Sequence, residues 1–327
     1  MLNTTAPETS DKIPLFITEK FSTEALIKLQ SEGFEKTDQT QRARALIIRS
    51  KTKITEDFLN QFPQLQCLVT CTSGFDHIDL HLTQKKNITV MYTPDANVIS
   101  AAELTWGLVL ACTRQIVQAH QQTKAGLWNR ELFSGFELHG KTYGVIGLGR
   151  IGTRIAKMAQ SFGMKVYAFD PYQEDAVFKS LALQRSSYEE VLKQADVLSF
   201  HVPLTKETRN MFNRSHMEYV QRNTIIINTS RGGVINEDDL VWALENDLIK
   251  GCGLDVFAKE PLARDSKLLK SSKVILTQHM GALTEEAFQK ASEEAAQRLI
   301  DFFHFQRATN TLPLVNDWGK FSFDQNN

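Results

Sequence analysis

Three side chains of complementary chemistry follow short apolar runs in the C-terminal half of the chain. Arg231 follows TIIIN (224–228) within NTSRGG (228–233), Glu260 lies in LDVFAKEP (254–261), and His279 follows VILT within TQHMGA (277–282). Each run reads as a strand, so all three groups stand near strand C-termini, where open α/β sheets bind ligands. A neutral imidazole can accept a hydroxyl proton, and its cation can return it. A neighbouring carboxylate orients the ring and raises its pKa. A guanidinium can grip a carboxylate through two parallel hydrogen bonds and polarise a reacting oxygen. Alone, each residue would be an ordinary surface charge or a satisfied histidine. Together at strand ends they suit an alcohol–carbonyl interconversion, which requires a hydride carrier.

GVIGLGRIG (144–152) answers that requirement. Gly147, Gly149 and Gly152 have G-x-G-x-x-G spacing, which is weak evidence by itself. Its surroundings make it specific. The strand YGVIG precedes it, and the helical pattern RIGTRIAKMAQSFG follows and closes at Gly163. A second strand, KVYAF, then ends in Asp170, 21 positions after Gly149. Glycines permit a tight turn and close approach of a pyrophosphate to a helix N-terminus, and the acidic residue suits the ribose hydroxyls of NAD. Asp170 would repel the 2′-phosphate of NADP, and Pro171-Tyr172 supplies no cation. The expected cofactor is NAD.

These groups need a scaffold, and the rest of the chain describes one. The apolar runs 14–18, 45–48, 67–70, 88–92, 143–147, 165–169, 196–202, 224–228 and 273–277 alternate with helical patterns. That alternation predicts parallel sheets, and near-continuous apolar strands predict sheets covered on both faces. NVISAAELTWGLVLACTRQIVQAH predicts one long helix opened by a Ser100/Glu103 capping box. Thr284 to Phe303 predicts a second long helix that crosses back to the first unit. The fold class is α/β, with two Rossmann-like doubly wound domains and a cleft between them. A discontinuous substrate domain would span 1–97 and 291–327, and an NAD domain 98–290.

Composition narrows the classes further. The 327 residues are 42% hydrophobic and 23% charged with formal net charge -1, which suits a large core and no electrostatic footprint for nucleic acid or an anionic membrane. No apolar stretch is long enough to cross a bilayer, and MLNTTAPETSDK lacks the apolar core of a signal peptide. Cys67, Cys71, Cys112 and Cys252 include no C-x-x-C pair and read as core residues rather than metal ligands. The expectation is a reduced, cytoplasmic protein without a metal.

In this order the motifs resemble the D-isomer-specific 2-hydroxyacid dehydrogenases, from about residue 13 to 316. SGFDHIDL (73–80) is similar to the family's substrate loop, followed by GLGRIG, FDP, HVPLTKET (201–208), NTSRGG, DVFAKEP and the His279 segment. The resemblance implies Arg231, Glu260 and His279 as the catalytic trio. It implies cofactor contacts from Ser73, Arg150, Ile151, Asp170, Val202, Thr229, Ser230, Asp255 and Gly281, beside the loop glycines. It implies substrate contacts from Ser73, Gly74, Asn97 and Arg231. IIRSKTKIT (47–55), SAAELT (100–105), WNRELFSGFELHGKT (128–142) and MAQSFGMK (158–165) resemble the phosphoglycerate dehydrogenase branch. That branch implies phosphate-binding cations at Arg49 and Lys53, a basic residue at Arg130 reaching across a dimer interface, and a role in serine synthesis.

Two departures stand out. Gln278 replaces the usual proline before the catalytic histidine, implying a less stiff loop. Thr70 and Thr72 stand where the branch often has arginine and glycine. Beyond Asn316 only DWGKFSFDQNN follows, implying a short form without the regulatory domain of longer members. The sequence therefore leaves open a glyoxylate or hydroxypyruvate reductase, and also a non-catalytic NAD-sensing scaffold like the corepressors that resemble this family.

Overall fold

The computed structural model describes residues 12–312. The expected tail beyond Asn316 lies outside the described residues. Strands β1 (Ile13–Ile17), β2 (Phe34–Lys36), β3 (Ala45–Ile48), β4 (Cys67–Thr70) and β5 (Thr89–Tyr92) come first. Strands β6 (Thr142–Ile146), β7 (Lys165–Phe169), β8 (Val197–Phe200), β9 (Ile225–Asn228), β10 (Gly251–Leu254) and β11 (Val274–Leu276) follow, and β12 (Thr311–Leu312) is last. The chain divides into two compact units. One holds the described residues up to Asn97 and those from Leu283 onward, and the other is Val98–Ala282. The return to the first unit thus comes at Leu283, against the residue 291 set from sequence.

Each unit holds a six-stranded sheet, ordered β12-β5-β4-β3-β1-β2 in the first and β11-β10-β9-β8-β6-β7 in the second. All neighbours are parallel except β12, which runs antiparallel to β5. Register puts Leu46, Leu68 and Val90 in one row and Ile47, Val69 and Met91 in the next. Successive strand residues face opposite sides. The first row enters a core with Phe62 and Ile54, and the second packs on Ala291, Ala295 and Leu299. In the second unit Ile226 and Ile227 divide in the same way between two cores. Both faces of the central strands are covered, which is why those strands are mostly apolar.

Strand order reverses between β6 and β8 in the second unit and between β1 and β3 in the first. Such switch points open a crevice at the strand C-termini. The glycine loop leaves β6 at one of them. At the other, Glu19 Oε1 accepts from the Arg49 and Thr52 amides at 3.2 and 3.1 Å and ties the loops after β1 and β3 together.

Every strand expected from an apolar run forms within one or two residues of its expected limits. Helices depart more. The first long helix spans Val98–Thr113, so Ser100 is its third residue and is buried, and a residue inside the first turn cannot be the cap. The helix also fails to reach His120. The Phe136 amide takes the Thr113 carbonyl at 3.2 Å, Gln115 turns left-handed at φ 51°, and a second helix runs over Ile116–Lys124.

The last helix, Glu285–Phe305, starts where its cap dictates: Thr284 accepts from the Ala287 amide at 3.2 Å. Thr284→Ala should destabilise the protein by about 1 kcal/mol, with Thr284→Ser near neutral, as read by urea midpoints.

Candidate active site

The cofactor loop is built by close approach. Gly147 has φ 92°, and a Cβ there would lie 2.7 Å from the His201 carbonyl oxygen at the end of β8. A Cβ on Gly152 would overlap the Gly147 carbonyl. The pair lets the loop fold back on the helix Arg150–Ser161, whose N-cap is Gly149. Arg150 is the first helical residue and is exposed, while Ile151 is half-buried beside the core. A Cβ on Gly149 would meet open space, so the helix N-terminus is uncovered at its cap, a cradle that fits a pyrophosphate.

Asp170 directly follows β7 and organises the same loop. Its Oδ2 accepts from the Leu148 amide at 2.8 Å, and Oδ1 accepts from the amides of Tyr172 and Gln173 at 2.9 and 3.2 Å. A carboxylate has about four acceptor sites, so capacity remains for a ribose hydroxyl. Arg185 grips the Asp170 carbonyl at 3.0 Å and pairs with Asp175 at 2.9 Å. Under the loop, His201 bonds Ser199 Oγ at 2.8 Å, and burial pushes its pKa down to about 3. His201 is therefore a neutral structural ring. Val202, next to it, packs half-buried against the core.

Arg231 lies in a turn set by the last residue of β9. Asn228 Oδ1 accepts from the Ser230 amide and hydroxyl at 3.0 and 2.8 Å, and Asn228 Nδ2 donates to the Arg231 carbonyl at 2.9 Å. Thr229 and Thr105 share a hydroxyl–hydroxyl bond of 2.7 Å, fixing the turn to the helix Val98–Thr113. The Arg231 guanidinium donates to the Ser230 carbonyl at 2.6 Å.

His279 and Glu260 meet. The imidazole Nδ1 lies 2.7 Å from Glu260 Oε2, and the other carboxylate oxygen accepts from the Phe257 amide at 3.1 Å. Hydrogen bonding to Glu260 raises the His279 pKa above its ordinary value, outweighing burial and the nearby Arg231 charge. Burial alone would raise the Glu260 carboxyl, but the bonds from His279 and the Phe257 amide, with the Arg231 charge, hold it lower. With Nδ1 held by Glu260, Nε2 is the ring nitrogen left for another partner.

The loop that carries His279 is pinned by buried Asp255. Its Oδ1 accepts from the Thr277 hydroxyl at 2.6 Å and the Met280 amide at 2.8 Å, and Oδ2 accepts from the Gly281 amide at 2.9 Å. The His279 amide donates to the Asp255 carbonyl at 2.8 Å. These bonds hold His279 at a left-handed φ of 52°. The stiffness expected to be lost with proline at 278 is supplied from the C-terminal end of the neighbouring strand, β10.

Of the residues expected to touch substrate, Arg231 and Arg130 fall in the second unit, and Arg49, Lys53, Ser73, Gly74 and Asn97 in the first. Ser73 Oγ donates to Asn97 Oδ1 at 2.6 Å. Thr72 donates to the Gly74 carbonyl at 2.6 Å, and the Thr70 hydroxyl bonds both Thr72 (2.6 Å) and His77 (3.1 Å). Neutral hydroxyls therefore hold this loop. The Arg49 guanidinium lies 5.1 Å over the Phe288 ring, with Nη1 buried and unpartnered. Lys53 and Arg130 are exposed. Sequence reasoning missed Asn228, Thr277 and Thr105. Asn-x-Ser directly after a strand was the available turn signal for the first; nothing local marked the others.

Residues 106–281 match the family model "D-isomer specific 2-hydroxyacid dehydrogenase, NAD binding domain". The chain is 40% identical over 283 residues to the D-3-phosphoglycerate dehydrogenase of Methanocaldococcus jannaschii, covering 86% of this chain and 54% of that protein. It is 36% identical to the hydroxypyruvate reductase of Thermotoga maritima, covering 84% of this chain and 90% of the relative. The solved D-lactate dehydrogenase of Aquifex aeolicus, complexed with NAD and lactic acid, superposes with TM-score 0.78 at 30% identity, covering 88% of this chain and 95% of that one. The chain spans about half the length of the phosphoglycerate dehydrogenases it matches. It belongs to the D-isomer-specific 2-hydroxyacid dehydrogenases, and it carries their NAD-binding domain.

Proposed function

We propose that this chain interconverts a D-2-hydroxy acid and its 2-oxo acid with NAD, and that the pair is D-3-phosphoglycerate and 3-phosphohydroxypyruvate, which would place it in serine synthesis. NAD supplies the hydride acceptor; Gly147, Gly149, Gly152 and Asp170 would hold it. Arg231 grips the substrate carboxylate. His279 Nε2 takes the hydroxyl proton during oxidation and returns it during reduction, while Glu260 fixes the tautomer and favours the imidazolium. The 2.7 Å contact between His279 and Glu260 carries this reading, because it leaves one ring nitrogen for the substrate. Exposed Ile116, Leu127, Trp128 and Leu132 support a homodimer surface, and the four free cysteines suit a reducing cytoplasm.

The phosphate reading rests on Arg49, whose buried Nη1 has no acceptor within the described residues and sits at the first unit's switch point. A second reading, hydroxypyruvate or glyoxylate reductase, is favoured by the uncharged Thr70–Thr72 loop and the exposure of Lys53 and Arg130. NADH oxidation with 3-phosphohydroxypyruvate, hydroxypyruvate and glyoxylate separates the two. Turnover of none of them would favour a non-catalytic NAD-binding scaffold.

Arg49→Ala should lower kcat/KM for 3-phosphohydroxypyruvate by about ten- to a hundredfold, the loss of one charged hydrogen bond, and leave hydroxypyruvate nearly unchanged. Equal losses would remove Arg49 from phosphate binding. Asp170→Ala should narrow the preference for NADH over NADPH; a wild type that uses both equally would contradict the ribose role. Glu260→Gln removes the charge that raises the His279 pKa. Reduction needs the imidazolium, so its rate falls as pH rises through that pKa, and in the variant this fall should come at lower pH. An unchanged pH–rate profile would refute the pairing.

A further inference from the structure

The two successive peptides on either side of Phe257 are held from three sides. The Phe257 amide donates to Glu260 Oε1 at 3.1 Å. The next amide, Ala258 N–H, donates to Glu237 Oε1. On the third side is Gly232, beside Arg231, where a Cβ would overlap the Phe257 carbonyl. Glu237 is the first residue of the helix Glu237–Glu245, which Asn236 caps by accepting from the Asp239 amide at 3.1 Å. Leu240, Val241 and Leu244 bury that helix in the core. Its half-buried carboxylate is therefore carried on a rigid element, whereas Glu260 sits in a loop. Nothing in the proposed chemistry uses Glu237.

We infer that Glu237 is a positioning residue: it fixes the loop that aims Glu260 at His279, and so sets how strongly the proton-shuttling imidazole is held. The inference rests on the assignment of His279 and Glu260 above. A loop carboxylate with free torsions would visit many orientations, and a misplacement of about 1 Å in a catalytic group can cost as much as a hundredfold in rate. Fastening two consecutive amides, one to the acting carboxylate and one to a carboxylate on a buried helix, removes that freedom. The charges facing Glu237 are Asp238 and Glu260, and those facing His279 are Glu260, Arg231 and Asp255. Burial raises the Glu237 pKa, and the Ala258 amide opposes that rise. Glu237 thus reaches the imidazole through Glu260 and its loop.

Three variants separate positioning from simple charge. Glu237→Gln keeps an acceptor at full reach and loses the charge. Glu237→Asp keeps the charge and retracts the acceptor by one methylene. Glu237→Ala loses both. The readouts are the His279 pKa, followed through the ring Cε1–H signal by NMR titration of the full chain, and kcat and KM with whichever of the three 2-oxo acids the wild type reduces fastest. Positioning predicts that Gln behaves as wild type. Asp and Ala should show a lower His279 pKa and a kcat down roughly tenfold, with the KM for NADH unchanged. A field effect would reverse the order, leaving Asp like wild type and shifting Gln and Ala, and would overturn the inference. So would an unshifted His279 in the Asp variant. If the Ala variant does not fold, the Gln and Asp pair still decides. His279→Ala is the control: if its activity survives, the catalytic assignment fails, while the NMR titration still reports on Glu237.

Discussion

The carboxylate of Asp255 is the constraint on which the second unit's chemistry depends. It is fully buried, and a buried charge is tolerated only when hydrogen bonds replace its hydration. Here they come from Thr277, Met280 and Gly281, all on the segment carrying His279. The need to satisfy one anion therefore dictates the path of the next loop. His279 is held in a backbone region that side chains avoid, which persists only where surroundings over-determine it. The same principle recurs at Asn228, whose amide group folds the Arg231 turn, and at Asp170, whose oxygens collect three amides. In each case a polar residue at a strand end takes hydrogen bonds, most of them with backbone groups, and so fixes a neighbouring residue of the candidate site.

The sheets were legible because their signal is local and redundant. A strand buried on both faces is apolar over most of its length, with polar residues kept to its ends, so ALII, CLVT and TIIIN announce themselves. The strands given no run of their own are FEK, with two exposed positions of three, the glycine-rich GCGL of β10, and the two-residue β12, whose existence depends on pairing with β5. Helix ends were less legible. The break at Gln115 is imposed by Phe136, twenty-one residues away, taking a carbonyl the helix would have used. The Ser100/Glu103 spacing satisfied a capping rule at a place where the chain was already helical.

The side chains of the candidate site were legible in the sequence, and their support was not. Arg231, Glu260 and His279 could be picked by charge type and strand-end position, and the glycine loop by context. The structure brings His279 and Glu260 into contact and puts Arg231 close enough to act on both electrostatically. What holds them is tertiary: Thr277 against Asp255, Thr105 against Thr229, Glu237 against Ala258. Threonine and glutamate are too common for any one of these to stand out in a string of letters. The departure at Gln278 shows the limit from the other side, since a missing proline reads as lost rigidity until Asp255 is seen to supply it.

The neutral ring of His201 has a wider consequence. It lies against Ser199, its carbonyl sits where a Cβ on Gly147 would clash, and burial pushes its pKa down to about 3. The floor of the loop consequently presents the same charge throughout the range in which His279 gains and loses its proton. Burial thus keeps the ring beneath the loop uncharged while Glu260 moves the His279 pKa the other way, so two imidazoles of one unit are set apart by their surroundings alone.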